Sequence, residues 1–509
     1  LVVGTNGGFV HMFDGATGVE DWAFTPKELA PIHNVLRTDS AQETHPYGMD
    51  NTAALLLKDV DNDGVIEPAD GDSVWIYLTM RRGGNKIYAL NITNASSPVF
   101  GWMIDESTTV SGGGTPFAEL GQTWSIPQTG YIPGYTNPVL IFGAGYDPAN
   151  DTDGVAAADS MGRGIYIVDA YSGALVWSVT NSTNSAMQHS IPAPVTPFDS
   201  NGDLRYDRVY APDTGGNVWR VDLTVNGTCT DASCLQSVVS KIATLNEGAA
   251  ASDRRFFNRI DLARAKSPQA GGFDALILGS GNRASPLETT VVNRMYMIRD
   301  RKLNPVLPTD VDGVGTDAIP GTCATGDGAP PTHWPYCQSP ITNSDLYDAT
   351  ANLVQDGSDT AARAAAVAAL YDKAGWRINL EGVGEKSLAA AVTIDGVVWF
   401  TTFEPLDPSA SVCEPRGGVG WLYAVNLLDA KAEFDFTNDS TLSKPDRKVE
   451  LFIPTIPDTP AVHFGEDNNI RLLFPSGGGP KPAELGNPLT SGATRITPTG
   501  ITWYSHETQ

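Results

Sequence analysis

Apolar residues occur along this chain in short runs of four or five, separated by stretches rich in Gly, Pro, Asn, Asp, Ser and Thr. Runs of this length, bounded by turn-forming residues, favour β-strands over helices. The clearest examples are residues 74–78, 139–142, 275–278 and 397–400. We therefore predict an all-β chain.

One segment differs and predicts a short helix. Ser358 or Asp359 can cap its start, and Gly375 can end it. The apolar residues that fall on one face at helical spacing are Val367, Leu370 and Tyr371.

A repeated pattern runs through the chain: Gly or Asn, two residues, an aromatic residue or His, two residues, then usually Asp or Asn. Its six copies are Gly8-His11-Asp14, Asn85-Tyr88-Asn91, Tyr166-Asp169, Gly216-Trp219-Asp222, Asn293-Tyr296-Arg299 and Gly420-Tyr423-Asn426. The first residue suits the turn before a strand, and the last starts the turn after it. Two copies continue, at equal spacing, as Asp14-Gly18-Trp22 and Asp169-Gly173-Trp177. The tryptophan can fill the space between neighbouring sheets.

Each repeat predicts a small antiparallel sheet that cannot bury both of its faces alone. Radial stacking of such sheets gives a β-propeller. With a weaker unit from Ile470 to Trp503, we expect about seven blades in one domain spanning residues 1–509. The uneven spacing predicts long insertions, the largest over about 303–373, whereas a linear solenoid, the alternative, would be evenly spaced. Because Leu1 lies inside a predicted strand, we expect the natural N-terminal region to be absent from this chain.

The formal net charge of −26 changes the range of possible partners. Such a field repels nucleic acid and anionic lipid, and it favours cations. Calcium is the first candidate, because its ligands are carboxylate and carbonyl oxygens. No apolar run approaches membrane-spanning length, so we do not expect an integral membrane protein.

An acidic segment starting at Asp59 follows the spacing of an EF-hand calcium loop. Gly64 at position six permits the sharp turn, and Asp replaces the usual final Glu. The predicted ligands are Asp59, Asp61, Asp63, the carbonyl of Val65, Glu67 and Asp70.

A second acidic segment matches the same pattern over fewer positions. Its predicted ligands are Asp199, Asn201, Asp203, the carbonyl of Arg205, and Asp207. For both segments the alternative is a solvated turn that is rich in Asp and Asn for backbone reasons alone.

The five cysteines indicate the compartment. Cys229 with Cys234, and Cys323 with Cys337, each bracket a short loop and predict two local disulfides in an oxidising environment. Cys413 is left over. The alternative is buried free thiols.

The sequence predicts no catalytic centre. The seven histidines lie in no catalytic motif, and neither a nucleophile elbow nor a phosphate loop is present. The Asp-x-x-x-Gly-x-x-x-Trp copies do look like the docking repeats of quinoprotein dehydrogenases, which are propellers that hold pyrroloquinoline quinone and calcium. Those enzymes commonly carry a disulfide between adjacent cysteines, and no two cysteines are adjacent here. A quinoprotein dehydrogenase is therefore an alternative, and a non-enzyme is the prediction.

Several segments, taken together and in order, resemble the C-terminal domain of the PilY1 family of type IV pilus proteins. Within the matching segment 190–223, the sequence Asp207-Arg-Val-Tyr-Ala-Pro-Asp213 is followed by Gly216-Asn-Val-Trp-Arg220. The other matching segments are residues 7–18, 45–50, 85–91, 120–125, 141–146, 397–403 and 420–426. The resemblance covers nearly the whole chain.

The resemblance implies a modified, quinoprotein-like propeller whose calcium loop is the Asp199–Asp207 segment. It implies an extracellular protein, exported through the periplasm, at the pilus tip on the bacterial surface. There it would work with minor pilins, support pilus biogenesis and twitching motility, and attach to host cells or abiotic surfaces. Calcium would control pilus extension against retraction. A structural propeller that calcium merely stabilises is the remaining alternative.

Overall fold

The computed structural model describes residues 1–38, 45–109, 113–152, 154–155, 157–305, 340–406, 417–451, 456–464, 470–474 and 481–482. The described residues form seven sheets, of which six are wholly antiparallel and one includes a parallel pair. The predicted pair Cys323 and Cys337, together with Cys413, lies outside the described residues, as do Trp503 and residues 306–339 of the large insertion.

The sheets follow one another along the chain. Sheet 1 contains β1 (Val2–Gly4), β2 (Val10–Phe13) and β3 (Glu20–Phe24). Sheet 2 contains β4 (Ala54–Lys58), β5 (Ser73–Thr79), β6 (Ile87–Asn91) and β7 (Val99–Ile104). Sheet 3 contains β8 (Gln128–Gly130), β9 (Val139–Gly143), β10 (Gly164–Asp169) and β11 (Leu175–Thr180). Sheet 4 contains β12 (Thr196–Phe198), β13 (Arg208–Pro212), β14 (Asn217–Val225) and β15 (Leu235–Thr244).

Sheet 5 contains β16 (Asp261–Ser267), β17 (Gly271–Gly279), β18 (Arg294–Asp300), β19 (Tyr347–Asp348) and β20 (Gly375–Asn379), in the spatial order β16-β17-β18-β20-β19. Sheet 6 contains β21 (Val392–Ile394), β22 (Val397–Pro405), β23 (Gly418–Asn426) and β24 (Lys448–Glu450). Sheet 7 contains β25 (Ala461–Phe464), β26 (Ile470–Phe474) and β27 (Lys481–Pro482). The predicted large insertion begins after β18 and ends at β20.

Every copy of the sequence repeat falls on a corresponding strand. The six copies lie on β2, β6, β10, β14, β18 and β23, which in the four- and five-stranded sheets is the third strand. The Asp14 and Asp169 carboxylates accept backbone N–H groups two and three residues ahead, and Gly18 and Gly173 close those turns at positive φ. The indole of Trp177 then donates to Ser237 of sheet 4, bridging neighbouring sheets as predicted.

Apolar clusters join consecutive sheets in the chain from sheet 1 to sheet 6. The shared clusters contain, for consecutive sheets, Val10 with Ile76, Tyr77 with Phe142, Ile141 with Val209, Tyr210 with Leu276, and Ile277 with Phe400. The first strands of neighbouring sheets also contact one another, as in β4 with β8 and β16 with β21. This arrangement is the predicted β-propeller.

The propeller has two faces with different loops. Because strands alternate in direction, the first-to-second and third-to-fourth connections of a sheet lie at one end, here named the first face. The second-to-third connections, and the segments that enter each first strand, lie at the opposite end, the second face.

The predicted helix is confirmed, and two more are present. Helix α3 (Thr360–Tyr371) begins after Asp359, whose side chain accepts the Ala362 N–H. The expectation of a single helix is wrong, because α1 (Ala30–Thr38) and α2 (Leu353–Asp356) also form. Helix α1 packs through Ile32 against the loop that contains Gly8, a tertiary contact that the sequence pattern does not display.

Candidate metal sites

The first acidic loop connects β4 to β5 at the first face. The Asp59 carboxylate turns back into the loop and accepts the N–H groups of Asn62 (2.8 Å) and Gly64 (2.9 Å). Asp63 accepts the Val65 N–H at 2.8 Å. The pKa of Asp61 is raised by desolvation and by the neighbouring Asp63 and Asp59 carboxylates. A cation would relieve this repulsion.

The carboxylate that completes the first loop is Asp72, which the sequence pattern did not single out. One ligand atom each of Asp59, Asp61 and Asp72 lie within 4.8 Å of one another, and this group could hold a metal ion. Asp72 is buried and accepts the N–H groups of Val60 (2.8 Å) and Glu67 (2.9 Å). The predicted ligand Asp70 instead ends an exposed 3-10 turn, Pro68–Asp70.

The second acidic loop connects β12 to β13 and is organised around a buried carboxylate. Asp199 accepts four backbone N–H groups, from Asn201 (3.2 Å), Gly202 (2.7 Å), Asp203 (3.2 Å) and Leu204 (2.7 Å). Asp207 is also buried, and desolvation with the nearby Asp199 charge raises its pKa. Asn201 and Asp203 are exposed at the loop tip.

The side chain of Arg205 fixes the second loop to its neighbour. Its Nη1 donates to the carbonyls of Ile132 and Tyr135, each at 2.8 Å, in the β8–β9 connection. Its backbone N–H donates to Asp203 at 2.9 Å. Among the described residues, the Asp199, Asp203 and Asp207 carboxylates are not gathered within 4.8 Å of one another as the Asp59 group is. Their role as ligands stays a prediction.

A third acidic loop, between β23 and β24, was missed by the sequence analysis. One ligand atom each of Asp435, Asp439 and Asp446 lie within 4.8 Å of one another, so this group too could hold a metal ion. Asp446 is buried and accepts the N–H groups of Thr437 and Ser443, both at 2.9 Å. The spacing of one, five and twelve was readable, but Thr437 stands at position three, where the two predicted loops have Asp61 and Asn201.

The three loops share one backbone conformation. Counted from the leading Asp, positions four and six both have positive φ, and position five accepts the N–H of position seven. The left-handed residues are Asn62 and Gly64, Gly202 and Leu204, and Asn438 and Ser440. All three loops lie at the first face, and all their donors are oxygens, which suits a hard cation such as Ca²⁺.

A disulfide lies near the second loop. Cys229 and Cys234 are joined, as predicted, between β14 and β15. Within the same hairpin, Asp231 forms a bridge to Tyr135, whose carbonyl holds Arg205. The disulfide thus fixes the surroundings of the acidic loop.

Comparison with known proteins shows which family has this architecture. The sequence profile described as "PilY1 beta-propeller domain" matches residues 1–265, half of the chain. The chain belongs to the PilY1 β-propeller family. A type IV pilus biogenesis factor PilY1 of Pseudomonas aeruginosa is 28% identical over 230 residues, which cover 44% of this chain and 17% of that protein. A PilY1 homologue of Xylella fastidiosa is 24% identical over 539 residues, covering 98% of this chain and 30% of its own length.

A solved structure supports the fold over nearly the whole chain. The crystal structure of the Pseudomonas aeruginosa PilY1 C-terminal domain superposes with a TM-score of 0.60 at 17% identity, covering 95% of this chain and 92% of that one. The PilY1 resemblance predicted from the sequence is therefore confirmed. In the described part of the chain, no helix has the length and apolar character needed to cross a membrane.

Proposed function

We propose that this chain is the calcium-binding propeller of a type IV pilus tip protein that supports pilus assembly and surface attachment without catalysis. Its partners would be minor pilins and host-cell or abiotic surfaces, at the extracellular pilus tip. Membership of the PilY1 family supports the pilus assignment. The observation that carries the calcium assignment is the shared geometry of the three oxygen-lined loops on one face.

The proposed control by calcium rests on repulsion that the loops contain. Asp61 lies beside Asp59 and Asp63, and Asp207 lies beside Asp199. A cation coordinated by these oxygens would remove the repulsion and hold each loop in one conformation. The ordered loops would then present a fixed first face to a pilin or a surface, and loss of the cation would release it.

We expect a substitution in the second loop to uncouple pili from calcium. The test is Asp203→Asn in the protein expressed in cells that lack the native gene. Asp203 is exposed, and Asn keeps an oxygen that can accept the Arg205 N–H, so folding should be preserved. The number of surface pili and the rate of twitching motility are measured with and without calcium chelation. In the variant, chelation should change both values much less than it does in the unaltered protein.

The matched control is Asp21→Asn, an exposed carboxylate outside the acidic loops. It should leave the calcium response unchanged. Full calcium responsiveness in both Asp203→Asn and Asp61→Asn would remove calcium control from the proposal. Normal piliation without the protein would remove the assembly role itself.

A further inference from the structure

Three arginines meet at the second face, away from the acidic loops. Arg81 and Arg82 lie in the β5–β6 connection, and Arg283 lies in the β17–β18 connection. The guanidinium carbons of Arg81 and Arg82 lie 4.7 Å and 5.2 Å from the ring centroid of Trp124, which precedes sheet 3. Ala284, the residue after Arg283, packs against the cluster formed by Trp124, Tyr146 and Phe257, which brings the Arg283 loop to the same place. Burial and the charge of Arg81 lower the pKa of Arg283 to about 10. We name Arg81, Arg82, Arg283 and Trp124 the central arginine site.

The location of this site follows from the sheets that build it. Trp124 packs against Tyr146 of sheet 3 and against Phe257, which enters sheet 5, at centroid distances of 5.1 and 5.7 Å. Sheets 2, 3 and 5 are not all neighbours around the propeller. Their loops can meet only near the central axis, where ligands of propellers and barrels commonly bind.

Two of the arginines keep donors available. Arg82 is paired with Asp151 at 2.6 Å. Arg283 donates to the Leu388 carbonyl, and Arg81 makes no side-chain hydrogen bond within the part of the chain that the structure describes. Against the larger effect of burial, the charges of Asp50 and Asp458 raise the pKa of both Arg81 and Arg283. Among the residues that the structure describes, however, no ion pair within 4.0 Å joins either carboxylate to either arginine.

The backbone presents Arg81 in a costly conformation. Its φ of +52° lies in the left-handed region, which is unfavourable for a residue that carries a side chain. The turn is held by the Arg81 N–H, which donates to the Thr123 carbonyl at 3.1 Å, and by Gly83, where a Cβ would lie 1.8 Å from the Gly48 carbonyl oxygen. Strain of this kind is concentrated at binding sites, where it fixes a side chain in position.

We propose that the central arginine site binds a carboxylate group between Arg81 and Arg283, against the face of Trp124. The planar guanidinium fork matches a carboxylate, and the stacked indole restrains it. Asp50 and Asp458 would repel a doubly charged phosphate more strongly than a single carboxylate. Although the chain carries a net charge of −26, Arg81 and Arg283 offer an anion guanidinium donors that no carboxylate of the described residues occupies within 4.0 Å. The carboxylate could belong to a small acid or to the C-terminus of a peptide.

The first test is calorimetric titration of the whole chain at fixed calcium with acetate, trialanine, trialanine amide and inorganic phosphate. We expect saturable binding of acetate or of trialanine but not of trialanine amide, and the acid that binds more tightly identifies the source of the carboxylate. Arg81→Gln and Arg283→Gln should weaken it at least tenfold. The control Arg37→Gln, an exposed arginine on α1, should not. Absence of binding by both acids, or tighter binding of phosphate, would overturn the proposal.

A second test uses the unaltered chain, so it does not depend on variants that fold. Phenylglyoxal modification of arginines is mapped by mass spectrometry with and without the acid that binds. The acid should slow modification of Arg81 and Arg283 several-fold and leave Arg37 unchanged. Modification of Arg81 and Arg283 at the same rate with and without the acid would contradict a carboxylate site.

Discussion

Replacing Asp222 with Ala should lower the free energy of unfolding by about 3–5 kcal/mol, the typical result of removing one member of a buried ion pair. Asp222 lies on β14 and is fully buried with Arg208 and Arg220. Its Oδ1 lies 3.2 Å from Arg208 Nε and 2.7 Å from Arg220 Nη2. The substitution leaves two buried guanidinium groups short of a counter-ion, and water cannot replace it.

The network around Asp222 explains why the effect should be large. Arg208 also pairs with Asp274 at 2.8 Å, and Arg220 with Asp300 at 2.6 Å. All five side chains are completely buried between sheets 4 and 5. A break at one member therefore weakens the packing of two blades.

Urea unfolding followed by tryptophan fluorescence measures this prediction. Asp222→Asn keeps an accepting oxygen, so its free energy of unfolding should lie between those of Asp222→Ala and the parent. The control Asp21→Ala, at an exposed position, should change stability by less than about 0.5 kcal/mol. A midpoint for Asp222→Ala equal to that of the parent would mean that the network does not hold the blades together.

Asp199→Ala should abolish calcium binding at the second loop and disorder the loop even without calcium. Its carboxylate accepts four N–H groups, from Asn201 through Leu204, and no other side chain there can replace it. Losing about 1.4 kcal/mol of local stability corresponds to tenfold faster amide exchange. We therefore expect amide exchange over residues 200–207 to be at least tenfold faster in Asp199→Ala.

Hydrogen exchange with mass spectrometry measures both calcium binding at the second loop and the order of the loop without calcium. In the parent, calcium should slow exchange over residues 200–207, and in Asp199→Ala it should have no effect there. The matched control is Asp14→Ala, because Asp14 organises a similar turn outside the acidic groups. Calcium protection that survives in Asp199→Ala would place the bound ion elsewhere.

The second loop is also linked to the buried network. Arg264 donates to the Ser200 carbonyl at 3.0 Å and pairs with Asp274 at 2.9 Å. Asp274 in turn pairs with Arg208, the residue after Asp207. The loop is therefore attached at both ends to a rigid part of the propeller, and ordering its tip does not require the blades to move.

The strands and blades were predictable because their signals are local. The aromatic residue and the following Asp or Asn recur at short, fixed spacing, as at Trp219 and Asp222, and the spacing alone defines a strand and its turn. The short helix α3 was predictable for the same reason, through its cap at Asp359. Helix α1 was not, because it is only nine residues long and its stability depends on packing against another loop.

Sequence spacing identified the acidic loops only in part, because it does not determine which carboxylates lie together in the folded chain. Asp70 satisfies the twelve-residue pattern, but the structure groups Asp59 and Asp61 with Asp72, which follows the 3-10 turn that contains Asp70. The third loop was missed because Thr437 stands at position three, where the two predicted loops have an Asp or Asn ligand. The central arginine site had no sequence signal at all, since Arg81, Trp124 and Arg283 come together only when separate blades close around the axis.

Calorimetric calcium titration of the chelated chain tests the central claim most directly. We expect the unaltered chain to bind at least two calcium ions saturably. Asp61→Asn and Asp203→Asn should each bind one ion fewer than the unaltered chain, and the double variant should bind two fewer. Absence of saturable calcium binding by the unaltered chain would reduce the acidic loops to solvated turns and contradict the calcium assignment.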